Sequence, residues 1–321
     1  MSKLFVIKEQ IKKIFNAYSM FIVPALKFIL TIVSLTIINS KIGYYGLLNN
    51  IAVVILISLA CMFLPVSGIT VVVSLTIIGN LYGLSMYASI SALVVFVVMY
   101  LFFFRFSPKQ GILILAVPVL FIMKIPYVVP IVSGLIYSPI AVLPVTMGLF
   151  IYFMISTVSG NSAELLAKAA NDPIGIVKGM IVDSAKDEAF IVTFIAFAAV
   201  IISVYIIRRL SIDYSHYIAI GVGSALNIVV MLVGYLKFDM DSHVSIAGIF
   251  IGGIFSLVLA VIIDFFVLTV DYSRTEFVQF EDDDYYYYVK AVPKINVTAP
   301  EVTVKRINAQ KVKKQKQTVR R

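Results

Sequence analysis

Residues Gly111–Ile136 read GILILAVPVLFIMKIPYVVPIVSGLI. The stretch is apolar enough to leave water, yet Lys124 stands at its middle and Pro118, Pro126 and Pro130 surround it. An interior proline removes a helix hydrogen bond and clashes with the preceding turn. A lysine at mid-bilayer costs at least about 2.5–3.5 kcal/mol, and such a side chain normally faces protein or water. Irregular backbone at that depth is tolerated only inside protein or along a cavity. One straight spanning helix is therefore not expected here. The expectation is a broken, re-entrant hairpin whose two half-helices meet near Lys124-Ile125-Pro126 and which enters and leaves by the same face. Each half has about 12 residues and so rises roughly 18 Å. That reaches the middle of a ~30 Å hydrocarbon core without crossing it.

The rest of the chain makes lipid its main solvent. Of its 321 residues 61% are hydrophobic and only 13% charged, with mean hydropathy +1.01. Soluble chains are nearer half apolar and a quarter charged. The fold class expected is an all-α membrane protein of about eight transmembrane helices plus the broken hairpin, ending in a short cytoplasmic tail with β-strand propensity. The lone cysteine, Cys61, permits no intramolecular disulfide and no cysteine-based metal site. No tryptophan is present, so an aromatic belt must come from Tyr and Phe. The net charge of +9 comes largely from the two ends. Cytoplasmic anchoring beside anionic lipid accounts for it, without nucleic acid as a partner.

Along the chain, residues 1–18 read as an amphipathic interfacial helix. Leu4, Ile7, Ile11, Ile14, Phe15 and Tyr18 recur at helical spacing, with Lys8, Lys12 and Lys13 opposite. The polytopic domain covers 19–270. Its spans are expected at Met20–Ile38, Asn50–Pro65, Val66–Tyr82, Ser85–Phe104, Pro139–Val158, Ala189–Ile207, Tyr217–Leu236 and Ser245–Val270. A broken or re-entrant pair is the competing reading for 51–78. Within the domain, 159–188 is the one long polar segment. Asp172-Pro173 is a helix restart, with Asp at the cap and Pro in the first turn. Ile174, Val177, Met180 and Ile181 then form one apolar face, read as lying on the membrane surface; a water-exposed lid would look similar. Residues 271–321 form the juxtamembrane tail.

Charge sets the topology, because cytoplasmic loops hold the Lys and Arg. The N-terminal lysines, Arg105/Lys109, Arg208/Arg209 and the tail agree on one side only if Gly111–Ile136 turns back. Both termini are then cytoplasmic. Nine crossings would require one misassigned end.

The residues that could carry chemistry follow from this. Lys124, with Pro126 beside it, would sit at the tip of the broken hairpin, where transporters build midplane sites. Asp264 and Lys27 lie within the last and first spans. An opposite-charge partner would let each stay ionised, so Asp264 is expected to pair with Lys27 or Lys124. Asn80 and Asn227 lie within spans, suited either to bonding a neighbouring helix or to a solute. Enzyme signatures are missing, and no cofactor is expected: neither H-E-x-x-H nor G-x-x-x-x-G-K-[ST] occurs. His216 and His243 have no partner cluster nearby in sequence, so no metal site is expected. Gly221-Val222-Gly223-Ser224-Ala225 lacks the closing glycine of a nucleophile elbow and reads as packing.

The tail carries the most distinctive text. In FVQFEDDDYYYYVKAVP, Glu281, Asp282, Asp283 and Asp284 precede Tyr285, Tyr286, Tyr287 and Tyr288. Tyr and Val favour strand. Ile295/Val297 and Val302/Val304 suggest two further short strands. Residues 277–306 could therefore recruit a cytoplasmic protein by edge pairing. Lys311–Arg321 suits anionic lipid. The segment DYSRTEFVQFEDDDYYYYVKAVPKI, 271–295, resembles the C-terminal signature of an uncharacterised family of bacterial multi-span membrane proteins. SPKQGILILAVPVLFIMKIPYVVPIVSGLI, 107–136, and the last two spans are similar to the same family. That resemblance implies a bacterial plasma membrane and no particular activity or functional residue. The function expected is a transporter or channel-like permease with a midplane site. The alternative is a non-enzymatic scaffold or assembly factor whose tail recruits a partner.

Overall fold

The computed structural model describes residues 2–162, 173–210, 212–238, 245–267, 276–282 and 285–291. Helix α1 runs Ser2–Ala17, α2 Ser19–Ile42, α3 Ile51–Cys61, α4 Val66–Leu84 and α5 Met86–Phe106. A 3-10 turn at Pro108–Gln110 leads into α6, Gly111–Ile122, followed by α7, Val128–Ile136. Then come α8 (Val142–Gly160), α9 (Pro173–Lys178), α10 (Glu188–Ile207), α11 (Ser215–Lys237) and α12 (Ile246–Val267). Strands β1, Glu276–Glu281, and β2, Tyr286–Ala291, close the described chain. Among the described residues, seven helical stretches are long and apolar enough to cross a membrane: α2, α4, α5, Pro139–Gly160, α10, α11 and α12. The chain is a multi-pass α-helical membrane protein.

Side-chain contacts fix which way each helix runs. Lys27 Nζ near the start of α2 donates to Leu64 O beyond the end of α3. Asn39 near the end of α2 donates to Leu48 O ahead of α3. The two helices are therefore antiparallel. Asn80 of α4 donates to Asn39 Oδ1 at 2.9 Å, so α4 runs back alongside α2. Gly111 packs against Phe103 of α5 and Ser67 of α4, placing the start of α6 where α4 begins and α5 ends. Further on, Gly223 meets Val204 and Gly234 meets Val192, so α10 and α11 are antiparallel. Ser224 Oγ donates to Gly253 O, and α12 returns along α11.

Three apolar cores result, one of them holding Ile131, Leu135, Val200, Val204 and Ile220 from α7, α10 and α11. Another gathers Leu35, Ile69, Val73, Ala88 and Met154 from α2, α4, α5 and α8. The third gathers Val117, Phe121, Tyr127, Phe153 and Phe197 around the α6–α7 break. In α1, Ile7, Ile11, Ile14 and Phe15 are all exposed, while Lys8 on the other side donates to Phe265 O of α12 at 2.6 Å. Gln10, Lys12, Lys13 and Asn16 are exposed as well, so burial does not set one side of α1 apart. Burial of the Lys8 ammonium, with Lys12 nearby, holds it below the ordinary lysine range despite the Asp264 carboxylate.

Two readings of the polar segments change. The 173–186 stretch does not lie on the surface through Ile174, Val177, Met180 and Ile181. Ile176, Met180 and Ser184 are the buried positions, and the stretch packs against α5 and α8. Ser184 Oγ donates to Thr157 Oγ1. Val177 is exposed, and the Ile174 side chain lies outside the described residues. After Met180 a π-helical turn at Gly179–Asp183 adds a residue to the turn and so brings Ser184 into line with Ile176 and Met180. In the tail, the tyrosine run does form a strand. Its partner is Glu276–Glu281, paired with Phe280 opposite Tyr287 and Val278 opposite Val289. The acidic run begins the turn: Asp282 Oδ1 accepts from Tyr285 N, and Asp282 Oδ2 from the Tyr287 hydroxyl. Ile295/Val297 and Val302/Val304 lie outside the described residues.

Candidate functional site

Helix α6 ends because its sequence cannot go on. Proline follows at 126, and the chain turns before it through a Schellman cap. Ile125 N donates to Leu120 O at 2.9 Å and Lys124 N to Phe121 O at 3.0 Å. Lys124 itself takes φ 64, the left-handed conformation. Glycine is the usual occupant of that position, since the left-handed region costs other residues roughly 1–2 kcal/mol. A lysine held there marks a position where the backbone alone does not explain the residue.

The break does fold the chain back. Gly148 of α8 packs on Ile114 and Val117, and Phe121 stacks on Tyr152 at 4.4 Å, so α6 and α8 run parallel. A Cβ on Gly148 would lie 2.9 Å from Ile114 O, so only glycine lets the two backbones approach this closely. After the turn, α7 runs the other way. Tyr127 packs on Phe197, and Gly134 packs on Ile201 O and Val204. At its end Arg208 donates both Nη groups, to Leu135 O and Tyr137 O. Phe121 and Tyr127, on either side of the break, both pack on Phe197. Phe197 is half-way along α10. The hairpin thus enters and leaves at one end of the bundle, with its tip at half depth.

Three of the sequence-selected residues lie at this level. Lys124 is exposed on the protein surface, its ammonium without a hydrogen bond or ion pair among the described residues, and Pro126 is buried beside it. Asn227 is 1% exposed and neither its amide nitrogen nor its oxygen has a partner among the described residues. Register places it here: Gly223, one turn earlier, is near Ile131 of α7, while Ile228 packs on Gly253 and Tyr127 on Gly252. Ser256, one turn beyond Gly252, is likewise fully buried with an unpaired hydroxyl. Close by, Lys41, Ile122, Tyr152, Ser156 and Ser159 line a cavity of about 200 Å³. It lies between the last turn of α2, the end of α6 and the second half of α8.

The other three lie elsewhere. Asp264 pairs with neither Lys27 nor Lys124. It faces His216 Nδ1 at 3.3 Å, because antiparallel α11 and α12 bring their ends together. Lys27 instead satisfies the Leu64 carbonyl at the α3–α4 turn, an orphan acceptor at a helix end. Asn80 is fully buried and bonds Asn39 and Thr76 O, which ties α4 to α2. Sequence names His216 only to set aside a metal site, and it does not single out Ser256, Asn39 or Lys41. A histidine and a carboxylate at opposite ends of consecutive antiparallel spans was the available signal for the first. Among the described residues no three His, Cys, Asp or Glu side chains come together as a metal site would need. No family model, curated protein or solved structure matches the chain.

Proposed function

We propose that this chain is a non-enzymatic permease that moves an anionic or carboxylate-bearing solute past the α6–α7 tip. One observation carries the reading: a hairpin turned back at half depth presents the Lys124 ammonium from a strained left-handed cap. The unpaired Asn227 amide at the same level supplies a second polar contact. Half-helices meeting at mid-membrane are a recurrent way to build a solute site. With α3 counted as a short crossing, the path has eight crossings and the hairpin. Lys8, Arg105, Lys109 and Arg208 then share one face. On the positive-inside rule that face is cytoplasmic, with both termini. A bacterial plasma membrane fits the resemblance of residues 271–295.

The test is flux of chloride, phosphate and acetate into proteoliposomes holding the purified full-length chain. Lys124→Met is expected to lower the flux of the transported anion at least about tenfold, the effect of about 1.4 kcal/mol. Equal flux for Lys124→Met and the parent chain rejects the proposal. A second reading, a scaffold recruiting a cytoplasmic protein, is favoured by the tail. Val278, Phe280, Tyr287 and Val289 form one exposed apolar face on the β-hairpin. A lone two-stranded hairpin is marginally stable in water, so a covering partner would stabilise it. Removing residues after Val270 abolishes function under that reading and leaves flux intact under the first.

A further inference from the structure

A second feature has no part in the tip. Helices α5 and α8 scarcely touch, and between them runs an open groove of about 850 Å³. Its walls include Val94, Val98, Phe102 and Phe106 of α5 and Leu143 and Phe150 from α8. The one hydroxyl on the wall, Thr146, is turned into its own helix and donates to Val142 O at 2.7 Å. The groove therefore offers a solute nothing polar. Val94 to Phe106 corresponds to a rise of roughly 18 Å, close to half of a ~30 Å core. It begins at the basic end of the bundle, at Phe106 and Pro139, and extends to Val94 and Phe150, each near the middle of its own helix, where Ile181 and Phe190 also line it. At that end of α5, Arg105 next to Phe106 and Lys109 three residues beyond it are both exposed.

We infer that this groove holds one acyl chain of an anionic phospholipid from the leaflet on the basic face, with its phosphate held by Arg105 and Lys109. The groove's depth matches a single leaflet, and its wall matches a hydrocarbon chain. The two cations at one mouth select the headgroup charge. A long basic side chain near an anionic headgroup favours binding about fivefold. The site is independent of whether a solute passes the tip.

The absence of tryptophan makes the test direct. Phe102→Trp places a single reporter on the groove wall with little change of shape. Val233→Trp on exposed α11 is the control for ordinary lipid contact. The full chain is reconstituted in phosphatidylcholine carrying a minor fraction of brominated phosphatidylglycerol or brominated phosphatidylcholine. At Phe102→Trp the brominated anionic lipid is expected to quench at least about fivefold more strongly than the zwitterionic one. At Val233→Trp the ratio is about one. Adding Arg105→Gln and Lys109→Gln brings the Phe102→Trp ratio down to the control. Overturning results are a ratio at Phe102→Trp equal to the control, a preference that survives neutralisation, or no quenching by either lipid, as when a second copy fills the groove. Native mass spectrometry of the unmodified chain provides a reading free of the reporter. The parent retains phosphatidylglycerol from mixed vesicles and Arg105→Gln/Lys109→Gln does not; equal retention by both overturns the inference.

Discussion

At the level of single residues, the left-handed lysine separates backbone from side chain. Lys124→Gly relieves the cost of φ 64 and keeps the Schellman hydrogen bonds, whose donors and acceptors are main-chain groups. It is expected to hold or raise stability by on the order of 0.5–1 kcal/mol, read from thermal unfolding in detergent. Flux is expected to fall as it does for Lys124→Met. A destabilised Lys124→Gly would show that the side chain itself props the turn. Asn80 invites the opposite experiment. Its amide donates to Asn39 Oδ1 inside the bundle, and Asn39 in turn donates to Leu48 O. A double-mutant cycle with Asn39→Leu and Asn80→Leu is expected to give a coupling energy of about 0.6–1.7 kcal/mol, the range for such bonds within membrane bundles. Flux should be unchanged by Asn80→Leu alone, because its amide is already bonded to Asn39 and to Thr76 O of its own helix. Asn227→Leu is the contrast: an amide with no partner loses no bond, so stability should hold while flux falls.

At the level of elements, basic side chains close helix ends that the chain itself leaves open. Lys27 serves the end of the α3 turn, Lys8 the last turn of α12, and Arg208 the end of α7. Orphan carbonyls and the negative end of the helix dipole both favour a cation there. Arg208 serves two carbonyls at once, so Arg208→Met is expected to destabilise the chain by about 1.5–3 kcal/mol, the scale of a hydrogen bond to a charged group. An unfolding transition unchanged from the parent would count against this role. These pairings also show what a sequence can and cannot disclose. The α6–α7 break was readable because Pro126 and Lys124 interrupt an apolar run locally. The Asp264 partner was not, since it depends on which ends of separate helices meet. Periodicity places Met180 on the packed face but not Ile176 or Ser184, and the π turn at Gly179–Asp183 that brings Ser184 into line cannot be read from it. The tail strand was legible from its tyrosines, whereas its pairing with Glu276–Glu281 needed the register.

For the whole molecule, the hairpin decides the bookkeeping of faces. If it turns back, Arg105 and Lys109 before it and the Tyr137–Ile140 connection after it share one side, which Arg208 reinforces through Tyr137 O. If it crossed, every later helix would invert, and Arg208, Arg209 and the tail would lie opposite the N-terminal lysines. Helix directions already distinguish these paths, because α8 is parallel to α6 and α7 is parallel to α10. The remaining matter is which face each position meets in a membrane. Cys61 is fully buried and is the sole cysteine, so Cys61→Ala provides a clean background. In it, Gln110→Cys and Ser138→Cys should react with a membrane-impermeant maleimide only from the face that carries the basic residues. Lys124→Cys, exposed at the tip, should react from at least one face. Positions 110 and 138 labelled from opposite faces would mean a full crossing and would remove the midplane site. Lys124→Cys inert from both faces would mean a tip sealed in lipid, and an ammonium sealed there has no route by which a solute could reach it.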